Sequence, residues 1–353
     1  MTEKIAETIQ KFNCFSLLEG GKDKNRWKAL EDKVTFLPVQ YQWEFIDYQK
    51  LYFRERVSEL YDLRMVITSG NHDVGIWSLF LIKENGIWKI NTCGLEIFEP
   101  RFDRAFQMGT KTKRKFYKNC LSLLKEIAII YNISCLRFSD TPIANDIEVW
   151  HRFLMENNGT ICKVTHQALY DTLLSADEAK QKMHKSILQR IKDGYQYYDY
   201  EIISSKDTNI DERMRKFREF HIKVSGRETR GIDTWKIQAE GIRKNRDFAI
   251  FQYDKETGEM DGASLFTVTH SCCYYSVSAY NRDKVDRPIG HMAQDVAISN
   301  LRTLGVRWYI VGDRYYPANA SDEKNLHISE YKEAFSTNIF PKFYIDMDLN
   351  LNK

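Results

Sequence analysis

One succession of elements occurs twice along this chain, about half its length apart, and it limits the possible folds more than any composition figure. In the first half the apolar run Ile76 to Lys83 meets Glu84-Asn85-Gly86 and then Ile87 to Cys93; an Asn-Gly pair between two such runs predicts a tight hairpin. A polar connection follows. Phe116, Cys120, Leu123, Leu124, Ile127 and Ala128 then recur at helical spacing, and Ile133 to Phe138 reads as a buried strand ending at Ser139-Asp140. The second half repeats the order: strands at Phe248 to Tyr253, Ala263 to Thr269 and Cys273 to Tyr280, a loop, a helix from about Gly290 to Leu304, and a strand Val306 to Val311 ending at Gly312-Asp313.

The spacing between the matching strands Leu136 to Asp140 and Tyr309 to Asp313 is of domain size. Two similar α/β units are therefore expected, residues 1–174 and 175–353. The junction is placed at Leu174 because Ser175 and Glu178 have the spacing of a capping box, opening a helix expected to run to Asp193 and to end at Gly194.

With 353 residues, 43% of them hydrophobic, there is material for two cores. The 52 basic and 49 acidic side chains leave a formal charge of +3, which excludes wholesale nucleic-acid wrapping and confines any basic site to a local patch. Seven scattered cysteines in apolar runs behave like reduced core thiols. The start MTEKIAETIQK lacks the apolar stretch of a secretion signal, and no run is long enough to span a bilayer, so a cytoplasmic protein without membrane insertion is expected.

Three segments resemble the FemAB-like branch of the GNAT acyltransferase superfamily, whose members carry two GNAT-like domains in tandem. Lys185 to Ile202 resembles the basic helix and strand that open the second Fem domain; Tyr274 to Asp313 resembles its strand, loop, helix and strand; His327 to Ser336 resembles the lysine-containing signature after the last conserved strand. Ser336 stands where that signature has Gly, and no long helical-hairpin insertion is visible. The resemblance implies an α/β (α+β) chain of two tandem GNAT-like domains, each a mixed sheet flanked by helices, with the donor slot in the C-terminal one. It implies an acyltransferase moving an acyl group from an activated donor, with acyl-CoA favoured, to an amine of a sugar, nucleotide-sugar or cell-envelope precursor. Two alternatives remain: a Fem-type aminoacyltransferase with aminoacyl-tRNA as donor and a peptidoglycan-like acceptor, and a non-catalytic protein that binds a nucleotide-linked ligand.

Transfer to an amine needs a slot for the activated carbonyl, a proton acceptor and positive charge for the oxyanion. Lys332 matches the signature lysine and is the first catalytic candidate, with Tyr331 beside it, Asp313 after the last strand and His291 at the helix entry. Lys332 is flanked by Glu330 and Glu333, the pattern of an ordinary solvated helix. Arg287, Ile289 and Gly290 are expected to meet the donor's phosphates at the helix start, and Tyr275 and Tyr280 to line the acyl slot. Arg227 and Arg230, and Lys113 and Arg114 in the loop expected before the first-half helix, are the substrate-binding candidates. No metal and no tightly bound cofactor are expected: HExxH, zinc-spaced CxxC, the phosphate-binding GxxxxGK[ST] and GxSxG are all missing from the sequence.

Overall fold

Asn85 and Gly86 both take left-handed backbone (φ 50° and 81°), the geometry that closes a two-residue hairpin with the right-handed twist of its strands. The computed structural model describes residues 3–18, 23–106, 108–284, 287–318 and 322–349. They form two units, Met1–Val164 with Pro341–Lys353, and Thr165–Phe340.

The first unit runs α1 (Glu3–Gln10), β1 (Phe15–Leu17), α2 (Lys24–Glu31), α3 (Trp43–Arg54), β2 (Glu59–Asp62), β3 (Met65–Ser69), β4 (His72–Trp77), β5 (Phe80–Glu84), β6 (Ile87–Asn91), β7 (Arg101–Phe102), α4 (Thr110–Tyr131), β8 (Cys135–Phe138) and α5 (Val149–Glu156). Antiparallel ladders join β1-β3-β4-β7 and β2-β5-β6. Ile97 makes a parallel bridge to Phe138, with α4 as the crossover. Trp27, Tyr41, Trp77, Phe80, Phe138 and Trp150 are fully buried in this core.

Strand β9 (Thr160–Asp171) carries the chain into the second unit. There follow α6 (Ala176–Lys182), α7 (Lys185–Tyr197), β10 (Tyr198–Ile203), α8 (Ile210–Ser225), α9 (Ile232–Arg243), β11 (Asp247–Asp254), β12 (Met260–Val268), β13 (Cys272–Tyr280), α10 (Ile289–Leu304), β14 (Trp308–Arg314) and α11 (Glu323–Ala334), and β15 (Asn338–Asp348) leads back. The order β10-β11-β12-β13-β14-β9 is antiparallel except between β13 and β14, the pair that α10 connects. Alternate residues of each strand face opposite helical layers. Phe248, Ile250 and Phe266 pack with α7 and α10, while Ala249, Phe251 and Leu265 pack with α8 and α9.

Several local expectations are corrected. The run Ile76 to Lys83 is two strands in different sheets, bent at Ser78-Leu79; both sides of the bend are buried, so hydrophobicity alone does not reveal it. The helix opened by the Ser175–Glu178 capping box stops at Lys182, and a second begins at Lys185. Gly194 does not end that helix but lies inside it, where a Cβ would stand 3.0 Å from Met292 Cβ; the missing side chain lets α7 and α10 approach. The cluster Lys111 to Lys115 is not a loop: α4 begins at Thr110 behind Gly109, and these good helix formers make its first turns. The last strand runs on through Gly312 to Arg314. No helix among the described residues is long and apolar enough to cross a membrane.

Candidate active site

The parallel strands β13 and β14 are paired over only three positions, Cys272 with Trp308, Cys273 with Tyr309 and Tyr274 with Ile310. Beyond them β13 continues to Tyr280 and β14 to Arg314 without a common ladder. Irregularities in their outer neighbours accompany the parting. The β12–β13 register slips between Leu265 and Phe266, and the β14–β9 register slips between Ile310 and Gly312, where Gly312 has φ +140°. Extra residues of this kind bend and twist a strand away from its partner. The outcome is a wedge with α10 across its floor.

Tyrosines furnish the wedge. The hydroxyls of Tyr275 and Tyr280 share a hydrogen bond of 2.7 Å, and that of Tyr280 shares one of 2.8 Å with Ser264. Tyr309 donates to the side-chain oxygen of Gln294 on α10. Burial pushes the phenols of Tyr280, Tyr309 and Tyr331 well above their ordinary range, so they stay protonated and act as hydrogen-bond groups. Gly290 leaves room for them: a Cβ there would lie 3.1 Å from the Tyr331 hydroxyl and 3.5 Å from the Tyr280 ring.

Lys332 reaches this place from the last turn of α11. Its ammonium lies so close over Gly312 that a Cβ on that residue would be 2.5 Å from Nζ. The side chain is half-buried, and the ammonium makes no hydrogen bond or ion pair among the described residues. Desolvation lowers its pKa, against the opposing pull of the Asp313 carboxylate. Tyr331 packs edge-on against the His291 ring at 5.0 Å and against Phe335 at 5.1 Å. His291 is 9% exposed, its Nδ1 has no partner among the described residues, and burial lowers its pKa to about 4. It is neutral in the physiological range.

The other candidates divide. Ile289 is buried at the start of α10, and its carbonyl accepts 2.6 Å from Gln252 Nε2. Arg287 is engaged in protein ion pairs, with Asp254 and Glu256, and its guanidinium covers the Tyr197 ring. Lys284 joins the same cluster, 2.6 Å from both Asp254 and Asp261. Arg227 is exposed and Arg230 half-buried near His221, in the connection between α8 and α9, the helical layer facing away from α10. Lys113 and Arg114 belong to the first unit, where Lys113 pairs with Glu99 and Arg114 with Glu156. Sequence reasoning missed Gln294, Ser264, Tyr309 and Gly312. Gln294 carried a readable signal, a polar residue on the buried stripe Met292, Ala293, Val296, Ala297 of an apolar helix.

The fold, a helix-linked parallel strand pair that parts beside the helix start in a mixed sheet with helices on both faces, is shared with solved structures of FemX and related proteins. Among solved structures, the crystal structure of FemX matches with a TM-score of 0.68 and 12% identity, covering 95% of this chain and 97% of that one. The C-terminal DUF2156 domain of a putative lysylphosphatidylglycerol synthetase from Agrobacterium fabrum gives 0.59 at 10% identity, covering 92% of each chain. L-PGS from Bacillus licheniformis gives 0.54 at 9% identity, covering 94% and 95%. No protein-family model and no curated protein sequence matches the chain.

Proposed function

We propose that the protein is an acyltransferase, moving an acyl group from an activated donor, acyl-CoA in first place, to an amine of a sugar, nucleotide-sugar or cell-envelope precursor. The observation that carries this reading is the unpaired Lys332 ammonium at the mouth of the parted strands, beside Asp313. A cation with no direct ion pair in a partly desolvated place, its nearby carboxylate acting only at a distance, is suited to charge that appears only during reaction.

In this reading the donor's acyl group enters between β13 and β14. The acceptor nitrogen attacks the carbonyl carbon, and the oxygen gains negative charge toward Lys332 Nζ. Asp313, half-exposed, takes the proton released by the attacking amine. Collapse of the tetrahedral intermediate re-forms the carbonyl and expels the thiolate of the donor, which is protonated from solvent. His291 is a poor base at neutral pH with its pKa near 4, and its ring serves to seat Tyr331. Arg287 acts on the donor indirectly, through its ion pairs beside the start of α10, and Gly290 gives a close approach there. The expected location is cytoplasmic.

The alternative donor is aminoacyl-tRNA, in keeping with the likeness to FemX and to the lysylphosphatidylglycerol synthetase domain. Thermal-shift titration with acetyl-CoA, longer acyl-CoAs and aminoacyl-tRNA separates the two. A donor at about 100 times its dissociation constant stabilises the native chain by roughly 2.7 kcal/mol. A shift with tRNA alone transfers the reading to the alternative. With the responding donor, Lys332→Ala is expected to lower kcat by about 10²- to 10³-fold; turnover within about twofold of the parent would refute the assignment.

A further inference from the structure

The first unit has its own counterpart of the wedge, furnished with different chemistry. The chain at Ile97 runs parallel to β8 at one bridge to Phe138, with α4 as the crossover, and the two segments then separate. At that separation opens a cavity of about 430 Å³, within the range of small-molecule sites, roughly 300–1,000 Å³. Where the second unit has tyrosine hydroxyls, this one has Glu99, Arg101, Lys113 and Glu148, with Phe36 and Phe102 in the wall.

The charges in and behind this cavity do not balance. Arg101 bridges to the buried Asp140 and lies 3.6 Å from Glu99; Lys113 is 3.1 Å from Glu99, to which Tyr117 also donates. These two cations answer two carboxylates. His151, one turn along α5 from Glu148, is buried and its pKa is lowered by desolvation, so it adds no compensating charge. Glu148 is left over, half-buried, its backbone carbonyl accepting from the Arg152 N–H but its carboxylate with no hydrogen bond or ion pair among the described residues. Burial and the neighbouring Glu99 and Asp140 carboxylates raise its proton affinity, more than Arg101 and Lys113 lower it. At the mouth, Asp103 stands beside the exposed Arg104. An anion entering the cavity would meet Arg101 and Lys113 already engaged, a third cation, Arg104, only at the exposed mouth, and a carboxylate that repels it. A cation would meet an unpaired acid beside aromatic side chains.

We propose that this cavity binds a small organic ligand carrying a protonated primary amine, its ammonium against Glu148 and its carbon skeleton along the Phe36 and Phe102 side of the wall. The site is separate from the acyl-transfer wedge and does not depend on that reading. Lys113, in the lining, is held by Glu99, and Arg114 pairs with Glu156 outside it.

Calorimetric titration of the full chain with n-hexylamine, 1-hexanol and hexanoate tests this. Hexylamine is expected to bind at millimolar concentration or better and more tightly than the alcohol or the acid. Glu148→Gln, which keeps the shape and removes the charge, is expected to weaken hexylamine by about tenfold, the factor corresponding to about 1.4 kcal/mol. Ile143→Trp, which fills the cavity from its lining, is expected to abolish binding and keeps the test valid should the Glu148 variant not fold. The proposal is overturned by tighter binding of hexanoate, by no measurable hexylamine binding, or by hexylamine binding that both variants leave unchanged.

Discussion

Gly312 is the backbone position on which the proposed chemistry leans. Its φ of +140° lies where side chains are strained, and the space a Cβ would take is filled by the Lys332 ammonium, methylenes included, at 2.5 to 2.9 Å. Gly312→Ala is therefore expected to lower stability by about 1–3 kcal/mol and to displace Nζ, costing turnover beyond what the stability loss explains. Denaturant unfolding and kcat on one preparation separate the two effects; unchanged kcat would mean that Lys332 does not work from this position. His291 gives a second prediction. Its folded pKa of about 4 is below the 6.5 of the free side chain, so the unfolded chain binds the proton first. Stability from keeping this ring neutral is complete above pH 6.5 and is lost as pH falls from 6.5 toward 4, by about 3 kcal/mol at most. His291→Phe should flatten that part of the stability-pH curve relative to the parent, measured by urea midpoints. Parallel curves would show that the ring is not held neutral. At this scale only the family resemblance draws attention to Lys332. Glu330 and Glu333 give it the look of a solvated helix residue, and nothing local announces that α11 lays it over a glycine in the preceding strand.

The start of α10 shows what one element requires of its neighbours. Pro288 caps it without a side-chain hydrogen bond, and Lys284 and Arg287 before it both pair with Asp254, at the end of β11. Asp254 also accepts from the backbone N–H groups of Glu256 and Thr257, so one carboxylate fixes a strand end, a turn and the helix approach. Asp254→Asn is expected to raise KM for the donor severalfold while leaving kcat within about twofold, because it disturbs where the helix begins and not what touches the carbonyl. A fall in kcat with KM unchanged would contradict this positioning role. The hairpin at Asn85-Gly86 was legible because left-handed backbone selects those residues, and α10 because its apolar stripe repeats at helical spacing. The parting of β13 from β14 was not. It depends on register slips against β12 and β9, and register is a relation between distant segments that periodicity along one strand does not record.

At the scale of the molecule, the duplicated pattern pointed to two units, and the chain's path between them is less simple than a single cut. The crossing falls within β9, and the last segment, from Pro341, belongs with the first unit. There Ile345 and Met347 pair with Phe138 and Leu136 of β8, each 1% exposed, and Arg137 grips Asp346 through two hydrogen bonds of 2.6 and 2.7 Å. No local sequence signal distinguishes a strand that closes its own unit from one that returns to an earlier one. Burying two such side chains contributes about 3–6 kcal/mol, the exposed ion pair less than about 1. That is a large share of the 5–15 kcal/mol typical of a domain. A chain ending at Phe340 is therefore expected to lose hydrogen-exchange protection at Cys135 to Phe138 while Trp308 to Ile310, inside the other unit, remain protected. Equal loss at both places would show that the two units unfold as one cooperative body, and retained protection of β8 would show that the final strand contributes little to the unit it joins.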